Sequence, residues 1–212
     1  MNSRKSLRAN FLEHLHPYSL SPEAIRFRTT FCLGGSAFLL FLTLLVTGSL
    51  LLLFYQPTLQ DAYPSIARIH WVIPFGKLIR SMHYWAGQLM VLTIFGHMVR
   101  VFVSRAYAPP RQLNWVVGIL LLVLTLFIDF TGYILRWDQE TYAAAVVSLG
   151  ILQSVPWIGP HLYSLILGGN TLTDISLIRI YVLHSILLPG LLILAIFYHF
   201  WRVRRDGITP SL

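Results

Sequence analysis

Two long apolar stretches, each with a pair of histidines, constrain this chain more than any other feature of its sequence. His83 and His97 lie in SMHYWAGQLMVLTIFGHMVRVF, and His184 and His199 lie in RIYVLHSILLPGLLILAIFYHFWRV. The separations within the pairs are 14 and 15 residues, and four turns of an α-helix take about 14.4 residues. Each pair therefore lies on one helix face, about 21 Å apart along the axis, near the two sides of a hydrocarbon core about 30 Å thick.

Two such helices side by side would bring the histidines together as two facing couples, His83 with His184 and His97 with His199. Neutral imidazoles on both faces of an iron porphyrin give a low-spin haem that suits electron transfer. A lone intramembrane histidine has simpler explanations, because it can hydrogen-bond a neighbouring helix or line a water-filled cavity. Ionisable residues inside a membrane are rare and usually functional, and the matched spacing in two helices favours bis-histidine haem ligation.

The composition, 56% apolar and 11% charged, is typical of a membrane protein. Four apolar spans are predicted at about 31–55, 81–103, 113–135 and 180–203, each long enough to cross a bilayer. Pro189 lies inside the fourth span, where a kink can absorb the lost hydrogen bond. Residues 31–212 are therefore predicted to form one all-α unit, a four-helix transmembrane bundle that encloses two stacked b-type haems.

Charge predicts how the chain is oriented. Residues 1–30 are polar and lack the apolar region of a secretory signal, so they are predicted to be cytoplasmic, with an amphipathic surface helix as one interpretation. The net charge of +8 does not indicate a nucleic-acid partner, because the basic residues cluster at the ends of apolar stretches. Eleven Lys and Arg residues lie on the side of the termini and five on the other, which predicts that both termini are cytoplasmic. The couple His83–His184 then lies toward the outer side, and His97–His199 toward the inner side.

Glycines in the other two spans repeat the histidine spacing. Gly34 and Gly48 are 14 residues apart, and so are Gly118 and Gly132. A residue without a side chain lets a planar group approach the backbone closely, so these four glycines are predicted to give clearance for two haems. The alternative is ordinary packing of membrane helices through small residues.

Several stretches carry a family resemblance. They are FCLGG at 31–35, RSMH and HMVR around the histidines of the second span, TGYILRWDQ at 131–139, VPWIGP at 155–160 and the terminal RRDGITPSL. With these motifs the chain resembles cytochrome b, in the short four-helix form found in cytochrome b6f complexes and related bacterial quinol-oxidising complexes. The resemblance extends over nearly the whole chain from about Ser21.

The resemblance implies a function and a set of partners. It implies a di-haem subunit of a quinol:cytochrome c or plastocyanin oxidoreductase, in the cytoplasmic or a thylakoid-type membrane, that carries electrons between outer and inner quinone sites. The implied partners are a second cytochrome b fragment similar to subunit IV, a Rieske-type iron–sulfur protein and a c-type cytochrome, in a dimeric complex. Two alternatives stay open: a non-bifurcating di-haem anchor that links the quinone pool to another redox subunit, and a haem-free scaffold or transporter.

The single cysteine, Cys32, excludes an intrachain disulfide. From the residues alone it is a small apolar side chain, because no CxxCH motif is present. The resemblance implies instead that Cys32 holds an additional haem through one thioether bond, next to the inner b haem and the inner quinone site.

Four arginines lie just beyond the histidines and are predicted to pair with haem propionates. Arg80 and Arg179 lie at the outer end, and Arg100 and Arg204 at the inner end. The planar guanidinium suits carboxylates because it can donate two parallel hydrogen bonds. Contact with lipid headgroups is the alternative, above all for Arg204.

Two residues depart from the family pattern. Arg136 stands where the family usually has proline before WDQ, and Asp129 stands inside the third span, where the family has a small or apolar residue. A buried acid is costly and usually has a partner or a role. Two interpretations are an ion pair with Arg136, two turns on, and a proton path at the outer quinone site. The family's Pro-Glu-Trp-Tyr-type segment is absent from this sequence, so the outer quinol site needs a second polypeptide.

Overall fold

The computed structural model describes residues 32–169 and 171–207. These residues form helices joined by short loops, with no strand among them. The predicted cytoplasmic segment 1–30 lies outside the described residues.

Four helical segments are long and apolar enough to cross a membrane. They are α1 (Leu33–Leu52), α3 (Gly76–Val103), α4 (Gln112–Ile134) and a continuous final segment, Asp174–Asp206. The final segment consists of α7 (Asp174–Val182), a π-helical turn at Leu183–Leu187 and α8 (Leu188–Asp206). The four predicted spans are therefore confirmed as helices, and the helices differ from them mainly in where they begin.

The second and fourth spans begin earlier than the apolar pattern predicts. The second begins at Gly76 instead of about residue 81, and the fourth at Asp174 instead of about residue 180. Thr173 and Ser176 form a reciprocal capping box that starts the fourth helix within polar sequence, and such a cap satisfies exposed backbone amides without any apolar residue. Hydropathy detects the apolar part of a helix that contacts lipid. It does not detect the polar turns at the beginning of the same helix.

Three shorter helices fill the two long connections. They are α2 (Ala62–Trp71), α5 (Gln139–Gln153) and α6 (Gly159–Leu167). Their apolar faces meet the ends of α4 and α7 in a small buried cluster: Ala62, Ile134, Leu135, Ala145, Leu177 and Ile180. The cluster closes the end of the bundle that holds His83 and His184.

A second cluster fixes the middle of the bundle. Phe41 of α1, Met90 of α3 and Leu192 of α8 are buried against one another. Within the bundle α1 packs most extensively against α3, and α4 against α8. The helices with the glycine pairs therefore lie against the helices with the histidine pairs, and the cluster lies between two cavities, each lined by one histidine couple.

Candidate functional site

The couple His83 and His184, here called the outer site, has its two rings opposite each other and nearly perpendicular. The ring centroids are 6.3 Å apart and the ring planes make an angle of 74°. Zinc binds an imidazole nitrogen at about 2.0–2.1 Å, and iron is taken to bind at about the same distance; a five-membered ring with bonds similar to the C–N bond of about 1.33 Å places that nitrogen about 1.1 Å from the ring centroid. An iron between two imidazoles would thus separate the centroids by about 6.4 Å, so the spacing of the rings fits bis-histidine ligation.

Hydrogen bonds fix the tautomer of His184. Its Nδ1 lies 2.9 Å from the carbonyl oxygen of Ile128 and 3.2 Å from the Thr131 hydroxyl oxygen. A carbonyl oxygen only accepts, so Nδ1 must carry the proton and donate it. In a neutral imidazole this leaves the lone pair on Nε2, which is the nitrogen available to iron.

His83 has the same tautomer, and it too has a backbone partner one turn before the threonine, Leu44. Its Nδ1 lies 3.0 Å from the hydroxyl oxygen of Thr47, and that hydroxyl donates its own proton to the carbonyl of Thr43 at 2.7 Å. The Thr47 oxygen is therefore left to accept from Nδ1–H of His83. Both histidines of the outer site accordingly hold Nε2 ready as a ligand, in the arrangement that metal-binding histidines generally show.

The outer site opens into a cavity of about 600 Å³, a volume in the range of cofactor pockets. Gly48 and Gly132 line it together with the two histidines. A Cβ atom on Gly48 would lie 3.1 Å from Cε1 of His83, and one on Gly132 only 2.6 Å from Cε1 of His184. A side chain on either glycine would crowd a histidine ring. The space for the rings, more than close packing of helices, therefore requires glycine at these two positions.

The couple His97 and His199, here called the inner site, lines a second cavity of about 560 Å³. A Cβ atom on Gly34 would lie 3.5 Å from the His97 ring, whereas one on Gly118 would meet the sulfur of Met98 at 3.5 Å. Nδ1 of His199 is buried and has no hydrogen-bond partner among the described residues. The size of this cavity and its two imidazoles fit a second haem. The hydrogen bonding of the ligands differs from that of the outer site, because Nδ1 of His199 has no partner among the described residues.

Cys32 lies at the mouth of the inner cavity. It is exposed, it precedes the first residue of α1, and its backbone is left-handed, with φ 53°. The thiol lines the same cavity as His97 and Arg100. Its position is therefore compatible with attachment of a group beside the inner site.

Two of the four predicted arginines line the cavities. Arg80 lines the outer cavity, where its Nη1 lies 3.2 Å from Nδ1 of His70, and Arg100 lines the inner one. Both are suited to bind propionates, because each combines a fixed positive charge with several N–H donors. His70, the partner of Arg80, lies outside the membrane-spanning helices. Burial first, and then the positive charges of Arg80 and Lys77, lower the pKa of His70.

The other two arginines do not line the cavities for which they were predicted. The Arg179 guanidinium donates to the carbonyls of Ser164 and Leu165 near the end of α6. Arg204 is not among the residues that line the inner cavity, which Arg111 lines instead. Both carbonyls lie near the C-terminal end of α6, where a cation is favoured, and the propionate contact of Arg179 stays a prediction. Arg111 was missed because it lies in the loop before α4, outside the apolar periodicity.

The predicted ion pair between Asp129 and Arg136 does not form. Arg136 donates to Asp138 at 2.6 Å and to Glu140 at 3.0 Å. Burial alone would raise the pKa of Asp138, but the hydrogen bonds from Arg136 and Thr141 outweigh it and lower that pKa below its ordinary value. Arg136 follows the end of α4, so the acids at the start of α5 reach it more easily than an acid two turns back inside the membrane.

Asp129 instead lies in the wall of the outer cavity. Nε2 of Gln88 donates to its Oδ1 at 3.3 Å, and a Cβ atom on Gly87 would lie 3.5 Å from the same oxygen. The acid thus faces α3 across a glycine, at the level of the outer site. A carboxyl group in such a wall can hold a proton close to whatever the cavity binds.

Four membrane-length helices around two facing histidine couples make the architecture of a membrane haem protein. The family model described as cytochrome b/b6/petB matches residues 19–207. Cytochrome b6 of Heliomicrobium gestii is 42% identical over 182 residues, which cover 86% of this chain and 85% of that protein. Cytochrome b6 of Cyanidium caldarium is 36% identical over the same share of both chains. This chain belongs to the cytochrome b family, which implies b-type haem.

A solved structure shows the same fold. The chain aligns with one described as a hyperthermophilic respiratory Complex III, with a TM-score of 0.79 and 26% identity, over 98% of this chain and 54% of that one. The chain therefore spans about half the length of that relative. The likeness confirms the predicted all-α, four-helix membrane fold, and the protein is an integral membrane protein.

Proposed function

We propose that this chain is the di-haem electron-transfer subunit of a membrane quinol-oxidising complex, catalytic only with its partner subunits. One observation carries the proposal: two histidine couples, four helical turns apart, each line a cofactor-sized cavity in one bundle. A haem held by two imidazoles takes up and releases one electron without exchanging its axial ligands. Cytochrome b6 and Complex III are the names of the relatives described above, and they support this class of complex.

The residues perform three tasks in this proposal. His83 and His184 hold the outer haem and His97 and His199 the inner one, so electrons cross the membrane from the outer to the inner couple. The apolar walls exclude water between the two sites, and Arg80 and Arg100 bind the propionates. With both termini in the cytoplasm, as the distribution of Lys and Arg indicates, electrons move toward the cytoplasm and strengthen the membrane potential.

The resemblance to cytochrome b6 and Complex III implies the partners. We propose that a second cytochrome b fragment similar to subunit IV completes the outer quinol site, as the family resemblance implies. A Rieske-type iron–sulfur protein and a c-type cytochrome would accept the first electron of each quinol, and the complex would be dimeric. The final acceptor is then a c-type cytochrome or a plastocyanin-type protein.

A pulse of oxidant tests the proposed bifurcation. The purified complex is mixed with excess quinol and then given a small amount of a one-electron oxidant, while b-haem absorbance is followed. In a bifurcating complex, the iron–sulfur partner takes the first electron of quinol and the outer haem takes the second electron. The oxidant pulse should therefore increase the reduction of the b haems. In the alternative, a non-bifurcating anchor, the oxidant would only oxidise the b haems.

Replacement of Cys32 by alanine is expected to remove covalent haem from this chain. We propose that Cys32 carries the additional haem by one thioether bond, because the thiol is exposed at the mouth of the inner cavity. Haem staining of the subunit on a denaturing gel should be lost completely, while the two non-covalent haems stay. The control is Gly35→Ala, where an added Cβ meets nothing within 4 Å. Equal staining of Cys32→Ala and the wild type would contradict the attachment.

Replacement of Asp129 by asparagine is expected to slow quinol oxidation. We propose that the Asp129 carboxylate, placed in the outer cavity wall by Gln88, receives a proton at the outer quinone site. Loss of a proton acceptor lowers such rates by about a hundredfold or more, and the pH profile of turnover should change. Asp61→Asn is the control, since Asp61 is an exposed acid before α2. Unchanged turnover and an unchanged pH profile in Asp129→Asn would dispose of the role.

A further inference from the structure

The outer site has a feature that the inner site lacks. In both α1 and α4, the glycine that faces a histidine of the outer site follows a threonine, as Thr47–Gly48 and Thr131–Gly132. The threonine hydroxyls lie 3.0 Å from Nδ1 of His83 and 3.2 Å from Nδ1 of His184. At the inner site, Leu33 and Val117 precede the corresponding glycines.

The hydroxyls are arranged to accept the imidazole proton. Thr47 donates its own proton to Thr43 at 2.7 Å, and Thr131 donates to Ile128 at 2.9 Å. Each oxygen then has a lone pair for the neighbouring Nδ1–H. At His184 the Thr131 oxygen shares that proton with the Ile128 carbonyl, which lies nearer, at 2.9 Å. Both threonines are buried, with exposed fractions of 4% and 5%, so water cannot readily replace either contact.

Ordinary helix chemistry does not account for these contacts. A buried threonine in a membrane helix commonly donates to a carbonyl one turn back, and Thr125 does so, to Leu121 at 2.8 Å. Thr125 is as buried as the other two, at 1% exposure, and has no histidine contact among the described side chains. The hydrogen bond to a carbonyl one turn back therefore explains why a membrane helix tolerates a threonine. It does not explain why two threonines contact the two histidine rings of one site.

A hydrogen bond accepted from Nδ1–H has a known effect on a metal-bound imidazole. It fixes the ring orientation and makes Nε2 a stronger donor to the metal. A stronger donor stabilises the oxidised iron more than the reduced iron, and hydrogen bonds to the ligands are among the levers that set the reduction potential. Nδ1 of His199 has no such partner among the described residues, so the effect differs between the two sites.

We infer that Thr47 and Thr131 are positioning residues that hold His83 and His184 as Nε2 ligands and lower the reduction potential of the outer haem. The inference rests on the proposed function, because it requires a haem between these two histidines. Each hydroxyl makes the outer haem a weaker electron acceptor than the same site without that hydroxyl. An electron that enters there is thereby favoured to move on to the inner site.

Redox titration of the purified complex tests the inference with Thr47→Val, Thr131→Val and the double variant. Loss of a hydrogen bond of ordinary strength should shift the oxidised-to-reduced equilibrium of the outer haem by about three- to tenfold toward reduction, and tenfold corresponds to about 59 mV for one electron. The potential of the outer haem should rise more in Thr47→Val than in Thr131→Val, because Ile128 still accepts from His184 at 2.9 Å in the second variant. It should rise further in the double variant and stay unchanged at the inner haem. Thr47→Ser and Thr131→Ser should keep the wild-type potential. Thr125→Val should leave the outer haem unchanged, since Thr125 lines the inner cavity only.

Unchanged outer potentials in both single variants and the double variant would overturn the inference. So would an equal rise in Thr125→Val, because the rise would then report general disturbance of the bundle. If a valine variant fails to assemble, the serine variants and Thr47→Ala supply the comparison. A wild-type complex without a haem at His83 and His184 would instead contradict the proposed function, so the two failures are distinguishable by haem content.

Discussion

Replacing His184 with alanine is expected to remove the outer haem and leave the inner one. The 6.3 Å spacing of the rings of His83 and His184 fits one iron between them, and without His184 only one axial ligand remains. The inner site keeps both of its histidines and its own cavity. Haem b in the purified complex, quantified as pyridine haemochrome, should fall from two per chain to one, and the low-spin signal that remains should belong to the inner haem.

His161→Ala is the matched control for this experiment. His161 is an exposed histidine on α6, away from both cavities, so the variant should keep both haems. Two intact low-spin haems in His184→Ala would contradict the assignment of the outer site. Loss of both haems with a correctly assembled complex would show that the two sites are not independent.

Adding a single methyl group at Gly132 is expected to have an effect almost as large. A Cβ atom there would lie 2.6 Å from Cε1 of His184, a distance at which one of the two must move. The ring has little freedom, because its Nδ1 is held by Ile128 and Thr131. Gly132→Ala should therefore lose more than half of the outer haem, as measured by haemochrome content and by the amplitude of the outer step in a redox titration.

A graded series of glycines separates ring clearance from helix packing. The available space increases from Gly132 through Gly48, at 3.1 Å, to Gly34, at 3.5 Å, so the haem losses of the alanine variants should decrease in that order. Gly190→Ala is the control, because a Cβ atom on this residue of α8 meets nothing within 4 Å. Equal haem content in Gly132→Ala and Gly190→Ala would show that the glycines do not serve the histidine rings.

The sequence predicted the parts of this protein that depend on period and polarity. The four spans follow from apolar length. The pairing of His83 with His184 follows from matched four-turn spacing in two helices that lie side by side. The resemblance to cytochrome b, confirmed by the family match, supplied the class of cofactor. These features can be predicted without knowing how neighbouring helices are rotated against one another.

Contacts between helices could not be predicted in this way. Thr47 meets His83 across 36 residues and Gln88 meets Asp129 across 41, and both contacts depend on the depth and rotation of one helix against another. The Thr-Gly dipeptide repeated in α1 and α4 was a readable signal for the first contact. The partners of Arg136 were also readable, since Asp138 and Glu140 lie within four residues of it, and close acids compete better than a distant one.

A redox titration of the wild-type complex, combined with quantification of its non-covalent haem, tests the central claim most directly. The claim is that this chain holds two haems, one between His83 and His184 and one between His97 and His199. We expect two haem b per chain and two one-electron steps of equal amplitude in the b-haem absorbance. One haem b per chain, a single step of one-haem amplitude, or an assembled complex without haem would contradict it.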